Sequence, residues 1–467
     1  MPEIDKKKIE KIKDIFSLDI NRYIEEIIKV DQTDEEKVYN ELQEYIITDS
    51  INDYFEEILE VYNLIPQNPT ENVGIWVSGF FGSGKSSFAK ILGLILENKN
   101  IKNSSSSDLF LNRTRSDKLT SLLLSINSNI ETETIVFDIS KHRSAKDQTE
   151  RMTLLMYKMF LKHLGYSDDL ELAKLEMDLE EMGSYQEFIE LYEKKYKKSW
   201  ISGRKIINFA LNEASVVLNE LFPENYPALD SWAKTKRGID ISAIDFSKQL
   251  NALLERRKKP ANLIFIIDEV GQYISRSSDK MLDLQAIVES FGISDQGKVW
   301  VMVTSQEKLD EVVDSLEGKK IELAKIQDRF QIQVDLAPRD ISEVTSKRIL
   351  VKTLSAEEFL KKLFKNNKNI IKTYTKLESS ARSTEITEKS FVNLYPFLPY
   401  QIDLIIDVIS GIRSQPGASK HTGGSNRTVI KLAQQVLVHP RTELSEKVIG
   451  YLVTLDMIYD LIEGNLY

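Results

Sequence analysis

Five short apolar segments alternate with segments of helical periodicity over the first 340 residues. They are "NVGIWVS", "ETIVFDIS", "NLIFIIDEV", "KVWVMVTSQ" and "RFQIQVDLAP". Each segment is short, β-branched and nearly continuous, which is typical of strands buried on both faces of a parallel sheet. Because helical segments separate them, we predict a doubly wound α/β core.

Helical patterns also precede, interrupt and follow this core. Residues 1–65 carry apolar stripes and predict an N-terminal helical region, and residues 66–340 contain the α/β core. A highly charged helical insertion is predicted at about residues 166–250, and its charge runs are typical of solvated helix faces. Residues 341–467 are helical in pattern and predict a C-terminal lid that begins a possible further region. The stretch "KNSSSSD" is predicted to be a polar loop around Ser104–Asp108.

The composition excludes several classes of protein. The 467 residues are 42% hydrophobic and 29% charged, as in ordinary globular proteins. Apolar runs fall short of the roughly 20 residues that span a bilayer, and the N-terminal stretch lacks the apolar core of a secretion signal. Without cysteine there are no disulfides or Cys-based zinc sites, and the four histidines are scattered. We expect a cytoplasmic protein with no membrane contact and no structural metal.

The stretch "GFFGSGKSS" carries the first candidate chemistry. It matches the pattern G-x-x-x-x-G-K-[ST] between a strand and a helix, the context that a phosphate-binding loop requires. Its glycines let backbone N–H groups point at phosphate oxygens, and the following helix start favours the same anion. The alternative is a glycine-rich turn that matches by chance. The candidate nucleotide-binding residues are Gly79, Phe80, Phe81, Gly82, Ser83, Gly84, Lys85, Ser86 and Ser87.

Within this loop two side chains have specific expected roles. Lys85 is expected to reach the β- and γ-phosphates of ATP, and the Ser86 hydroxyl to bind Mg²⁺.

A second part of the site follows the strand "LIFIID", because ligands bind at the carboxyl edge of open α/β sheets. Asp268 is expected to bind Mg²⁺ directly or through water, and Glu269 to orient and deprotonate the attacking water. The alternative is a strand that ends in a polar turn.

Further candidates follow two other strands and a helix. Thr304 or Gln306, at the tip of "VWVMVTSQ", could hydrogen-bond the γ-phosphate or the water, and the sequence does not separate them. Arg329, just before the last core strand, could stabilise transition-state charge in a neighbouring subunit, or be a surface arginine. Arg427, at a predicted helix start, could contact the γ-phosphate from the lid, contact nucleic acid, or lie in a solvated loop.

These features together resemble AAA+ ATPases. The stretches "IIKVDQTDEEKVYNELQEYIITDSI", "GIWVSGFFGSGKSSFAKILG", "IIDEVGQYI" and "YPFLPYQIDLI…GGSNRTV" resemble, more narrowly, the BrxC family of P-loop ATPases from BREX bacteriophage-defence systems. The double phenylalanine and "YPFLPYQ" are the specific parts. Members of that family often carry His at the position of Ser87, and they are typically much longer, so this chain would correspond to an N-terminal ATPase region.

The resemblance implies an ATP-hydrolysing component of a prokaryotic defence complex. It implies ATP and Mg²⁺ as cofactors, a homo-oligomer, other BREX proteins as partners, and DNA contacted directly or through those partners. The net charge of −10 argues against a nucleic-acid-binding surface over the whole protein, but a local basic patch is compatible with DNA. Two alternatives stay open: a non-catalytic module that binds ATP to hold an assembly together, and an origin-recognition-like or signalling AAA+ ATPase. The Glu269 carboxylate favours an enzyme.

Overall fold

The structure is a computed structural model that describes most of the chain. The described residues are 9–22, 30–80, 83–142, 151–235, 238–260, 262–274, 277–315, 320–377, 385–413 and 426–463.

A five-stranded parallel sheet forms the centre of the α/β core. Its strands are β1 (Gly74–Ser78), β4 (Thr132–Asp138), β5 (Asn262–Asp268), β6 (Val299–Ser305) and β7 (Ile332–Asp335), and a short hairpin pairs β2 (Asn100–Ile101) with β3 (Ser104–Ser105). The spatial order is β4-β5-β6-β1-β7, with every neighbouring pair parallel. All five predicted strands are present, and the predicted α/β fold with a P-loop type of parallel sheet is confirmed.

Helices pack on both faces of the sheet and extend beyond it. In chain order they are α1 (Glu35–Glu44), α2 (Asp49–Asn63), α3 (Lys85–Glu97), α4 (Ser106–Leu111), α5 (Asp117–Asn129), α6 (Met152–His163), α7 (Leu170–Glu181), α8 (Tyr185–Tyr196), α9 (Trp200–Gly203), α10 (Ile207–Leu221), α11 (Ser231–Thr235), α12 (Ala243–Arg256), α13 (Val270–Ile274), α14 (Ser278–Asp295), α15 (Leu309–Ser315), α16 (Lys320–Arg329), α17 (Pro338–Arg348), α18 (Leu354–Tyr374), α19 (Glu388–Leu394), α20 (Pro399–Arg413), α21 (Asn426–Val438) and α22 (Leu455–Glu463). Within the described ranges, none of these helices has the length and apolar character needed to cross a bilayer.

Local polar side chains explain where several helices begin. Asp34 accepts a hydrogen bond from the backbone of Lys37 at the start of α1, and Thr48 accepts one from Ile51 at the start of α2. Such N-caps satisfy a backbone N–H that has no partner inside the helix. Because α1 and α2 each have their own N-cap, they are separate helices, and residues 45–48 connect them.

The apolar side chains form three clusters. The largest surrounds the sheet and includes α1 and α2, with Leu42 and Phe55 fully buried. A second joins residues 12–20 to the helices that follow β7, and a third lies inside the charged insertion around Trp200. The described part of the first 65 residues is therefore divided between the first two clusters. The domain boundaries stay a prediction.

The prediction of a polar loop at Ser104–Asp108 is wrong. These residues form the end of the hairpin and the start of α4, where Ser105 accepts a hydrogen bond from the backbone N–H of Asp108. Ser106 and Ser107 are buried, and their hydroxyls donate to the carbonyl oxygens of Leu94 and Ile95 at 2.5 and 2.9 Å. The last turn of α3 thus supplies the acceptors that let the Ser106 and Ser107 hydroxyls be buried.

Candidate nucleotide-binding site

The glycine loop connects β1 to α3 at the carboxyl edge of the sheet. Gly79 has a φ of 152°, and a Cβ atom there would lie 2.4 Å from Ser83 Oγ and 2.9 Å from the carbonyl oxygen of Leu336. Gly84 has a φ of 97° and precedes the first turn of α3. Both residues have a positive φ, a backbone conformation that favours glycine. At Gly79 there is also no space for a side chain. Phe81 and Gly82 lie outside the described residues.

Lys85 is buried in the first turn of α3 and points back into the loop. Its Nζ donates to the carbonyl oxygens of Gly79 at 2.7 Å and Phe80 at 3.1 Å. Burial lowers the pKa of this amine, and the nearby Glu269 and Asp268 carboxylates oppose that effect. Ser83 Oγ is buried, and among the described residues it has no hydrogen-bond partner. An ammonium group and an unsatisfied hydroxyl in one tight loop suit an incoming phosphate oxygen.

Asp268 ends β5 beside the start of α3. Its Oδ2 accepts a hydrogen bond from Ser86 Oγ at 2.8 Å, and its Oδ1 accepts one from Thr304 Oγ1 at 2.5 Å. Burial raises the pKa of the Asp268 carboxyl, while these two hydrogen bonds lower it. The hydroxyl of Ser86 and the carboxylate of Asp268 together form a set of hard oxygen donors, which fits Mg²⁺.

Glu269 follows in the left-handed region of backbone space, with a φ of 63°. Its N–H donates to Thr304 Oγ1 at 3.0 Å, so a neighbouring strand holds this uncommon conformation in place. The side-chain amide of Gln306 donates to Glu269 Oε2 at 3.4 Å. Burial, and then the charge of Asp268, raise the pKa of the Glu269 carboxyl. A carboxylate with a raised pKa is a better proton acceptor at neutral pH.

The strand order brings these groups together. Because β6 lies between β5 and β1, its carboxyl end reaches the gap between the acidic pair and the glycine loop. Thr304 is fully buried, and its hydroxyl contacts both Asp268 and the backbone of Glu269. Gln306 is half-buried, and its amide contacts the Glu269 side chain. The two residues therefore have different surroundings, although the sequence could not separate them.

Arg329 lies at the other end of the sheet. Its carbonyl oxygen would be 2.3 Å from a Cβ atom on Gly74, the first residue of β1, whereas the glycine loop follows the last. The five residues of β1 span about 16 Å. The Arg329 guanidinium pairs with Glu289 on α14 at 2.8 Å and approaches Glu71 at 3.9 Å. Arg329 therefore does not contact the candidate nucleotide-binding site around Lys85 in its own chain.

The predicted lid residue is only partly described. The backbone of Arg427 belongs to the first turn of α21, which begins at Asn426. Its side chain lies outside the described residues. Its role stays a prediction.

Two acidic residues near the site were missed by the sequence analysis. Asp138 ends β4 in register with Asp268, and its charge contributes to the raised pKa of Asp268. The sequence did contain a signal for Asp138, because this residue, like Asp268, directly follows a run of apolar residues. Glu41 on α1 accepts hydrogen bonds from Ser87 Oγ at 3.4 Å and Lys90 Nζ at 2.6 Å. Its sequence context carries no such signal, because α1 is far from the loop along the chain.

No protein-family model matches the chain. One similar solved structure is described as "Structure of the Aeropyrum Pernix ORC2 protein (ADPNP-ADP complexes)". It is 11% identical with a TM-score of 0.32, and the match covers 98% of this chain and 72% of that one. The fold class rests instead on the sheet order and on the glycine loop between β1 and α3, which together form a P-loop type of parallel α/β core.

Proposed function

We propose that this protein binds ATP with Mg²⁺ and hydrolyses it. The observation that carries the proposal is the meeting of Ser86 and Asp268, 182 residues apart in sequence, in one hydrogen bond beside Lys85. Glu269 lies next to Asp268 with a raised pKa. A phosphate-binding amine, a hard oxygen pair and a candidate base in one place are the parts that phosphoanhydride hydrolysis requires.

Each side chain has a distinct part in the proposed reaction. The loop N–H groups and Lys85 hold the β- and γ-phosphates, after Lys85 exchanges its carbonyl contacts for phosphate oxygens. Bound Mg²⁺ would neutralise phosphate charge, with Ser86 and Asp268 as its protein ligands. Glu269 accepts the proton of the attacking water. Thr304 holds the Asp268–Glu269 turn, and Gln306 orients the Glu269 carboxylate or the water.

We further propose that Arg329 acts across a subunit interface. Its distance from the loop of its own chain supports action in trans over action in cis, because at that distance it cannot contact a nucleotide held in its own loop. The ion pair with Glu289 would then exchange for the partner's phosphates on assembly. Arg427 is proposed to reach the γ-phosphate from the lid. We also propose that the chain divides into three parts, residues 1–65, 66–340 and 341–467.

The biological setting is proposed from the sequence alone. The "GFFGSGKSS" and "YPFLPYQ" stretches support a cytoplasmic role in a BREX-type anti-phage complex, with other BREX proteins and DNA as partners. The rival proposal is a module that binds ATP for assembly without turnover. The position of Glu269 favours hydrolysis over that rival, because assembly by binding alone requires no base.

Calorimetric titration with ATP and steady-state phosphate release test the proposal. Lys85→Ala should abolish ATP binding and leave the fold intact. Lys368→Ala, at an exposed position on α18, is a matched control that should bind normally. Equal ATP affinity of Lys85→Ala and the wild type would refute the site. Binding with no phosphate release, even with DNA and candidate partners present, would favour the assembly module.

A further inference from the structure

Helix α1 contacts the phosphate-loop helix through one acidic side chain. Glu41 pairs with Lys90 at 2.6 Å, and both side chains are almost completely buried. The same carboxylate accepts a hydrogen bond from Ser87, the residue after the proposed Mg²⁺ ligand Ser86. The position of α1 is therefore tied to the first two turns of α3.

The C-terminal end of α1 contacts α17, the first helix after the sheet. Glu44, one turn beyond Glu41, forms an ion pair with Arg348 at the end of α17, where the Arg348 side chain is 12% exposed. Lys347 Nζ lies 3.4 Å from the carbonyl oxygen of Ile47, just beyond α1. The same end of α17 also receives the N-terminal segment, since Arg22 donates to the Arg348 carbonyl oxygen.

The position of α1 depends on these charged contacts, because few of its apolar side chains are buried. Along its ten residues the buried apolar side chains are Val38 and Leu42, and Tyr39 is partly buried. A helix with so short an apolar stripe is held weakly by the hydrophobic effect. Residues three apart lie on neighbouring positions of one helix face, so Glu41 and Glu44 can contact two different elements from the same side of α1.

We propose that α1 links the nucleotide site to the lid, with Glu41 and Glu44 as positioning residues. This inference rests on the proposed function. In this proposal, ATP binding at the loop shifts the first turn of α3, and the contacts of Glu41 with α3 make α1 shift with it. The Glu44–Arg348 ion pair then shifts α17, which packs on the lid helices α20 and α21. Neither glutamate is proposed to contact the nucleotide.

Hydrogen exchange of α17 tests the link. In the wild type, a non-hydrolysable ATP analogue should slow exchange in the peptide that covers residues 341–350. Glu44→Gln should bind the analogue with at most about fivefold weaker affinity, as expected for one partly exposed ion pair. It should nevertheless lose most of the nucleotide-dependent protection of α17. The same result is expected for Arg348→Gln, and the exchanged pair Glu44→Arg with Arg348→Glu should restore protection.

Glu36→Gln is the matched control. Glu36 lies on the same helix and pairs with the exposed Lys102, away from α17, so its loss should leave the protection unchanged. Protection of α17 in Glu44→Gln equal to that of the wild type would overturn the link. Loss of protection in Glu36→Gln as well would also overturn it, because general loosening of α1 would then explain the result. Failure of the wild type to bind the analogue would instead refute the proposed function.

Discussion

Replacement of Thr304 by valine tests how the catalytic turn is held. The side chain is fully buried, and valine has nearly the same volume, so no cavity forms. The change removes a hydroxyl that donates to Asp268 and accepts from the Glu269 N–H. Loss of a hydrogen bond to a charged group costs about 1.5–3 kcal/mol, and loss of a neutral one about 0.5–1.5 kcal/mol. We expect the free energy of unfolding to fall by about 2–4.5 kcal/mol.

The kinetic effect should separate two roles of Thr304. If the hydroxyl only holds the turn, Glu269 is released from its left-handed conformation, so kcat falls while ATP and ADP affinities stay close to those of the wild type. If the hydroxyl instead contacts the γ-phosphate, ATP affinity falls and ADP affinity does not. Thr304→Ser, which keeps the hydroxyl, is the control and should retain kcat.

Urea denaturation, calorimetric titration and phosphate release provide the three measurements. A Thr304→Val protein with wild-type stability and wild-type kcat would refute the reasoning, because both hydrogen bonds would then be energetically irrelevant.

Three further predictions concern the same site. Glu269→Gln should keep ATP binding and lower turnover by about 10²–10⁴-fold if the carboxylate is the base; unchanged turnover would place the base elsewhere. Gly79→Ala should weaken ATP binding in titration, because its Cβ would lie 2.4 Å from Ser83 Oγ, whereas Gly238→Ala has open space and should bind normally. Arg329→Ala should bind ATP but hydrolyse it about 10³–10⁵-fold more slowly, and mixing it with Lys85→Ala should restore part of the activity. No recovery from chains shown to co-assemble would exclude action in trans.

The sequence predicted the elements whose signal is local. Strands buried on both faces carry continuous apolar runs, so β5 and β6 were visible from "LIFIID" and "VWVMVT" alone. The glycine loop was visible because its geometry demands glycine and lysine at a fixed spacing within eight residues. The acidic pair was visible because it ends one of those strands.

Tertiary structure decided which of these groups meet. The order β4-β5-β6-β1-β7 places Thr304 against Asp268, 36 residues away, and Gln306 against Glu269. Four serines predicted as a loop instead enter a hairpin and a helix, because α3 supplies carbonyl acceptors to two of them. The contact of Glu41 with Ser87 joins positions 46 residues apart and depends on how α1 packs, which no local periodicity records. Residue type and spacing are local properties of the chain, whereas hydrogen bonds between distant segments form only where the packing of the core brings them together.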